Sequence, residues 1–330
     1  MGVAVPDEHP YAELTPATIL AAVESFGWLS DGRLLPLNSY ENRVYQVGIE
    51  EDAPVVVKFY RPDRWSDAAI EEEHAFAFEL AEAEIPVVAP LRRDGHSLLA
   101  WEGFRFAVFP RRGGRPPELD LSSDREWLGR FLGRIHTVGE ARAFQHRPRL
   151  DAQAFGHETR RYLLEQGWLP AELESVYEGV SADALLEVDA CFQRAAGVDW
   201  IRVHGDCHPG NVLWTDDGPH FVDLDDCRMA PAIQDLWMLL SGPREEQVVQ
   251  IGEIVEAYET FREFDPRELH LVEALRTLRI MHFAAWLARR WDDPAFPQAF
   301  PWFAEPRFWE EHILSLREQI AAMQEPPLPI

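Results

Sequence analysis

The chain has 330 residues, 46% of them hydrophobic, with 12 tryptophans and a formal net charge of −26; such a chain packs a full core as one bilobal unit or two domains. That charge excludes nucleic acid and anionic membranes as general partners, because both would be repelled. The 3 cysteines (191, 207 and 227) form no disulfide framework, no apolar run approaches a membrane span of ~18 residues, and the opening Met-Gly-Val-Ala-Val-Pro-Asp-Glu-His is not a leader, so a cytoplasmic protein is expected.

Thr15 to Trp28 reads as a helix, with Pro16 early and Ile19, Leu20, Val23 and Phe26 on one face. Leu34 to Val47 follows as strand, bend and strand, the bend being Asn38-Ser-Tyr-Glu-Asn42. A phosphate-covering loop belongs there in a kinase-like chain, yet this bend has no glycine. Ser39 and Asn42 are therefore the candidates to donate side-chain hydrogen bonds to phosphates, and a plain hairpin turn reads equally well. Val55 to Phe59 is a third strand. It carries Lys58, the only lysine in the chain, where a compact ammonium suits phosphate better than a guanidinium fork.

The helix Ser66 to Ala83 places Glu71, Glu72 and Glu73 in its first turns. Glu73 is the expected partner of Lys58, and the other two read as a solvated face. Ser97 to Trp101 and Phe104 to Phe109 form a hairpin, and an adenine ring is expected against Phe106 to Phe109, with Phe109 as the contact. The Pro- and Gly-rich segment after Phe109 breaks regularity. This gives an N-lobe over 1–110, a linker over 111–117 and a C-lobe over 118–330.

Ser123 to Val138 is an amphipathic helix in which Gly129 and Gly133 invite a close neighbour, and His136 reads as structural. Helical stretches near 155–166, 170–178 and 182–196 lead to a short strand, Trp200 to Val203. Next comes the most informative stretch, His204-Gly-Asp-Cys-His-Pro-Gly-Asn211, then a hairpin, then Phe221-Val-Asp-Leu-Asp-Asp226. Asp206 is the expected acceptor of a hydroxyl proton. Asn211 and Asp223 are the expected magnesium ligands on a nucleotide's phosphates, Asp223 being catalytic through that metal. Turns alone would not require the second acidic cluster. Zinc held by His204, Cys207, His208 and Cys227 is the rival, with poor spacing for it. Asp235, in the apolar run Pro231 to Leu240, needs partners and is expected to bind backbone N–H groups of the catalytic loop. The rest is helical over 243–262, 266–291 and 305–324, where Arg276, Arg279, Arg289 and Arg290 face either a substrate or solvent.

With Lys58, a helix glutamate, HGDCHPGN and VDLDD in order, the chain resembles the aminoglycoside-phosphotransferase and choline-kinase group of protein-kinase-like enzymes. LNSYENRVYQV, VVKFYRP, PAIQDLWMLL, WDDPAFP and the terminal QEPPL are similar to the bacterial stress response kinase family within it. The resemblance implies an α+β, bilobal protein-kinase-like fold: a small N-lobe with an antiparallel sheet and a helix, and a larger, mainly helical C-lobe. It implies a monomeric, ATP- and magnesium-dependent serine/threonine protein kinase that autophosphorylates and acts in stress response. Asp-Leu-Asp replaces Asp-Phe-Gly, and no activation segment follows Asp223, so neither loop phosphorylation nor the usual peptide-docking platform is expected. Two alternatives stay open. One is a kinase for a small molecule of amino-alcohol, aminoglycoside or homoserine type; the other is a catalytically silent nucleotide-binding scaffold. The acidic composition favours a cationic acceptor.

Overall fold

In the computed structural model, which describes residues 9–37 and 39–330, capping and strand alternation account for the first elements. Asn38 of the expected loop and the stretch from Met1 to Glu8 lie outside the described residues. The Thr15 hydroxyl accepts from the N–H of Thr18 at 3.2 Å and Pro16 fills the first turn, so helix α1 runs Pro16–Glu24. It stops short of the expected Trp28 because Gly27, at φ +109°, turns the chain. Strands β1 (Ser30–Pro36), β2 (Arg43–Ile49) and β3 (Val55–Phe59) follow, then helix α2 (Asp67–Glu82) and strands β4 (Leu99–Trp101) and β5 (Phe104–Pro110). The sheet is antiparallel throughout, in the order β1-β2-β3-β5-β4. Side chains alternate across it. Val57, Phe59, Phe104, Phe106 and Val108 join Ile19 and Val23 of α1 in one core, while Ala107 packs against Ile70 of α2 on the other face.

Helices α3 (Ser122–Glu140), α4 (Glu158–Glu165) and α5 (Ala171–Arg194) lead to strand β6 (Ile201–Val203). The two helices expected over 170–178 and 182–196 are one. Gly179 is tolerated inside α5, and the buried Ser181 hydroxyl accepts from Arg160 Nε at 2.9 Å instead of breaking the helix. The hairpin of β7 (Val212–Thr215) and β8 (Gly218–Phe221) comes next. Strand β9 (Arg228–Ala230), which the sequence did not suggest, pairs antiparallel with β6. Helices α6 (Ile233–Trp237), α7 (Arg244–Tyr258), α8 (Val272–Ala288), α9 (Ala295–Ala299) and α10 (Pro306–Gln324) complete the chain.

Two compact units result. The first holds the described residues up to Pro117 together with Gln145–Arg147 and Gly210–Asp226; the second holds Glu118–Phe144, Pro148–Pro209 and Cys227–Ile330. The segment 210–226 thus groups with the first unit, not with the lobe expected to begin at 118. Backbone pairing is the reason, since Trp214 bridges to Arg115 and Phe221 to Val87. The expected α+β architecture is observed: a sheet with a helix in the first unit, helices with a small two-stranded ribbon in the second. No described helix is long and apolar enough to cross a membrane.

Within the second unit, α3 lies close along α7. A Cβ at Gly129 would stand 2.4 Å from the Ile254 carbonyl oxygen, and one at Gly133 would stand 2.6 Å from that of Tyr258. Both obstacles are backbone, which cannot rotate away. Gly129→Ala is therefore expected to force the helices apart and cost about 1–3 kcal/mol, read as a lower urea midpoint at an unchanged slope.

Candidate active site

Lys58 lies in β3 on the face away from the aromatic core, and it is buried. Its ammonium is 3.0 Å from Asp223 Oδ1, 3.0 Å from Asp225 Oδ1 and 3.6 Å from Glu73 Oε1. Burial by itself would strip the proton. The carboxylates of Asp223, Asp225 and Glu73 outweigh burial and hold the lysine pKa well above its ordinary value, so Lys58 stays charged. The Glu73 pKa is raised as well, to about 7, because burial outweighs the pull of Lys58. At Asp225, burial is overruled by Arg64 and then Lys58, which keep its carboxyl below the usual range. Arg64 bonds Asp225 and, at 2.9 Å, Asp226, while Arg147 Nη1 lies 3.7 Å from Glu73 Oε2.

The three glutamates of α2 separate cleanly. Glu73 faces Lys58 and Glu71 is exposed. Glu72, read from the sequence as solvated, instead accepts the backbone N–H groups of Gln145, His146 and Arg147 at 2.6, 2.8 and 3.1 Å. The local fold explains this: α2 begins at Ser66, whose Oγ accepts from the N–H of Ala69, and that start fixes which residue points where.

A cavity of about 320 Å³ opens beside Lys58, within the size of small-ligand sites. Ser39, Glu73, Phe109, Asn211 and Asp223 line it with the aliphatic residues Val56, Ala77, Val88 and Leu213. The hairpin gathers the polar pair, since the N–H of Val222 donates to the Asn211 carbonyl at 3.0 Å and brings the residue before Asp223 alongside Asn211. Asp223 sits at φ +59°, a left-handed conformation that an aspartate tolerates better than most residues. Its carboxylate is half-exposed and faces the cavity. An open hollow of about 710 Å³ elsewhere is lined by Asp31, Glu50, Glu51 and Asp52 with one cation, Arg33, which pairs with Asp31, so its lining is acidic on balance.

Two expectations are corrected here. Asn42 does not line the cavity; it is buried, and its Oδ1 accepts the N–H of Arg61 at 3.0 Å, which fixes the loop end instead. Ser39 does line it, and its hydroxyl donates to the Asn42 carbonyl at 3.1 Å. Of the run Phe106 to Phe109, only Phe109 lines the cavity; strand alternation turns Phe106 and Val108 into the aromatic core.

Asp206 belongs to the second unit, in a loop after β6 that is anchored by a buried carboxylate. Asp235 accepts the N–H of His204 and that of Gly205 at 2.8 Å each, and the Nε2–H of His136 at 3.0 Å. Burial would raise its pKa, but these hydrogen bonds outweigh burial and hold it below the ordinary value. His136 in turn meets the Tyr258 hydroxyl at 3.0 Å, and Gln234 Nε2 donates to the Gly205 carbonyl at 2.9 Å. Asp206 itself pairs with Arg279 of α8, Nη1 to Oδ1 at 2.5 Å, and His208 Nε2 lies 3.6 Å from Asp206 Oδ2.

The sequence reading left Asp225, Arg64 and Arg147 without roles. Asp225 stood in an acidic run where side-chain direction was invisible, and the two arginines had no local signal. The soft-ligand set His204, Cys207, His208 and Cys227 does not assemble: among the described residues no cluster of three or more His, Cys, Asp or Glu is arranged to hold a metal ion.

The sequence matches the phosphotransferase enzyme family over residues 33–272. It is 46% identical to stress response kinase A of Escherichia coli and 45% identical to serine/threonine protein kinase RdoA of Salmonella typhimurium. Each alignment covers 96% of this chain and 96% of the relative. Among solved structures, amicoumacin kinase hAmiN, in complex with AMP-PNP, Ca2+ and Ami, superposes with a TM-score of 0.71 at 19% identity, covering 94% of both chains. That likeness concerns the fold.

Asp235→Asn puts an amide where two N–H groups need an acceptor and is expected to cost about 3 kcal/mol at neutral pH. The folded-state pKa of Asp235 is depressed, so its contribution is complete above the ordinary carboxylate range and is lost as pH falls through the folded value. Thermal unfolding of both proteins from neutral pH to below about pH 4 should show the gap between them narrowing.

Proposed function

The chain belongs to the phosphotransferase enzyme family, and from that premise we propose that it transfers the γ-phosphoryl group of Mg-ATP to a serine or threonine hydroxyl of a protein, in a stress response. One observation carries the reading: Lys58, the only lysine, stays charged in a cavity shared with Asn211 and Asp223. The name of the Salmonella relative, a serine/threonine protein kinase, supports a protein acceptor. The name of the Escherichia coli relative supports the stress role, and autophosphorylation follows where a serine or threonine of the chain itself serves as acceptor.

In this account Lys58 takes the phosphate charge, held for that task by Glu73. Phe109 borders the nucleotide base, and Ser39 faces the phosphates from the β1–β2 loop. Asn211 and Asp223 fit magnesium: both offer hard oxygens, and the half-exposed Asp223 carboxylate leaves room for water and phosphate in the shell. Held there, the ion would supply positive charge that offsets the negative charge of the phosphates. Asp206 accepts the proton of the acceptor hydroxyl. The freed oxygen bonds to the γ-phosphorus as the bond to the bridging oxygen breaks, and ADP leaves. Three buried thiols fit a reducing cytoplasm.

With γ-labelled ATP, magnesium and mixed acidic and basic proteins, label is expected on protein. Asp206→Asn should lower kcat about 10²–10⁴-fold with little change in KM for ATP, and Asp223→Ala should abolish transfer. Label appearing only on small alcohols or aminoglycosides would move the acceptor to that class. Undiminished transfer by either variant would overturn the site.

A further inference from the structure

The acceptor side of the reaction is marked by Asp206, which pairs within the second unit with Arg279 of α8. From residue 274 to residue 291 there are four arginines (276, 279, 289 and 290) and no aspartate or glutamate, in a chain whose net charge is −26. This basic stretch runs against the field of the whole molecule. One turn beyond Arg279 on the same face stands Phe283, 40% exposed. Its ring stacks on Trp286 at 5.7 Å and meets Phe300 and Trp302, each at 6.4 Å, with Trp302 itself 42% exposed. Single exposed apolar residues are ordinary, but two exposed rings in mutual contact make a contiguous patch, the kind that marks an interaction site.

We propose that this aromatic shelf, with Arg279 at its inner end, docks the phosphoacceptor segment of the protein substrate. The segment is an extended one, with carboxylates beside the serine or threonine and an aromatic or long aliphatic side chain two to four residues away. The inference rests on the protein-acceptor reading and names its substrate class. Spacing sets the numbers. Four residues of helix separate Arg279 from Phe283 by about 6 Å, and an extended chain advances about 3.3 Å per residue. An apolar side chain a few residues from the hydroxyl therefore reaches the rings while the hydroxyl stays at Asp206. Charge sets the sign. The Arg279 guanidinium beside Asp206 favours an acidic segment and repels the ammonium groups of a small cationic acceptor, which reverses the preference that net charge alone suggested.

The test is an oriented peptide library around a fixed serine or threonine, labelled by the full-length enzyme with Mg-ATP. Wild type is expected to select acidic residues next to the acceptor and aromatic or long aliphatic residues two to four positions away. Phe283→Ala should lower kcat/KM for the selected peptide on the order of tenfold through KM, and far less for the same peptide lacking the apolar residue. Arg279→Glu should turn the charge preference from acidic to basic. The wild-type selection is informative even where a variant fails to fold. Labelling without selection overturns the shelf alone, as does a wild-type dimer that Phe283→Ala disperses. Transfer to small alcohols with no peptide labelled overturns the protein-acceptor reading, and the shelf with it.

Discussion

A buried ammonium is the constraint on which the first unit depends. Lys58 can remain charged in β3 only because Asp223, Asp225 and Glu73 stand within 3.6 Å of it, supplied by two separate segments of the chain. Glu73 requires α2 to start at Ser66. Asp223 and Asp225 require the β7–β8 hairpin to return against the sheet. Removing any one carboxylate leaves the others to outweigh burial alone, which is why the site and the fold cannot be varied independently. The cluster is also close to charge balance, with Asp223, Asp225, Asp226 and Glu73 facing Lys58, Arg64 and Arg147.

The second unit solves a different problem, that of holding a tight polar loop in one shape. Asp235 does so with hydrogen bonds rather than with a counter-charge: two backbone N–H groups and an imidazole converge on one carboxylate with no exposure. Asp206, in the loop so held, pairs with Arg279 and lies near His208. Rigidity is carried by the buried carboxylate of Asp235, while that of Asp206 is partly open to solvent.

Much of this was legible in the sequence where a residue type was out of place. A solitary lysine in an apolar strand, an aspartate inside an apolar helix and a His-Gly-Asp loop with its second acidic cluster each demanded a chemical reason, and the structure places each beside a partner or a cavity. What stayed hidden depended on direction or on distant pairing. Asn42 and Ser39 look equivalent in the bend, yet one turns inward to Arg61 and the other lines the cavity. Phe106 and Phe109 differ only by strand parity. The arginines at 276 and 279 on α8 and at 289 and 290 just past its end cannot be ranked until one of them is seen against Asp206. The grouping of 210–226 with the first unit came from two backbone bridges that no local pattern announces.

That grouping has a consequence for how the chain is made. Residues 1–117 emerge from the ribosome first, but their unit lacks 145–147 and 210–226 until about two-thirds of the chain has been synthesised. Glu72 and Glu73 wait for Arg147 and its neighbours, and Lys58 waits for Asp223 and Asp225. The nascent sheet therefore carries an uncompensated set of charges through most of translation, and the order of synthesis is not the order of assembly. A fragment cut at the linker would preserve every strand of the sheet and none of the acidic partners that the later hairpin supplies.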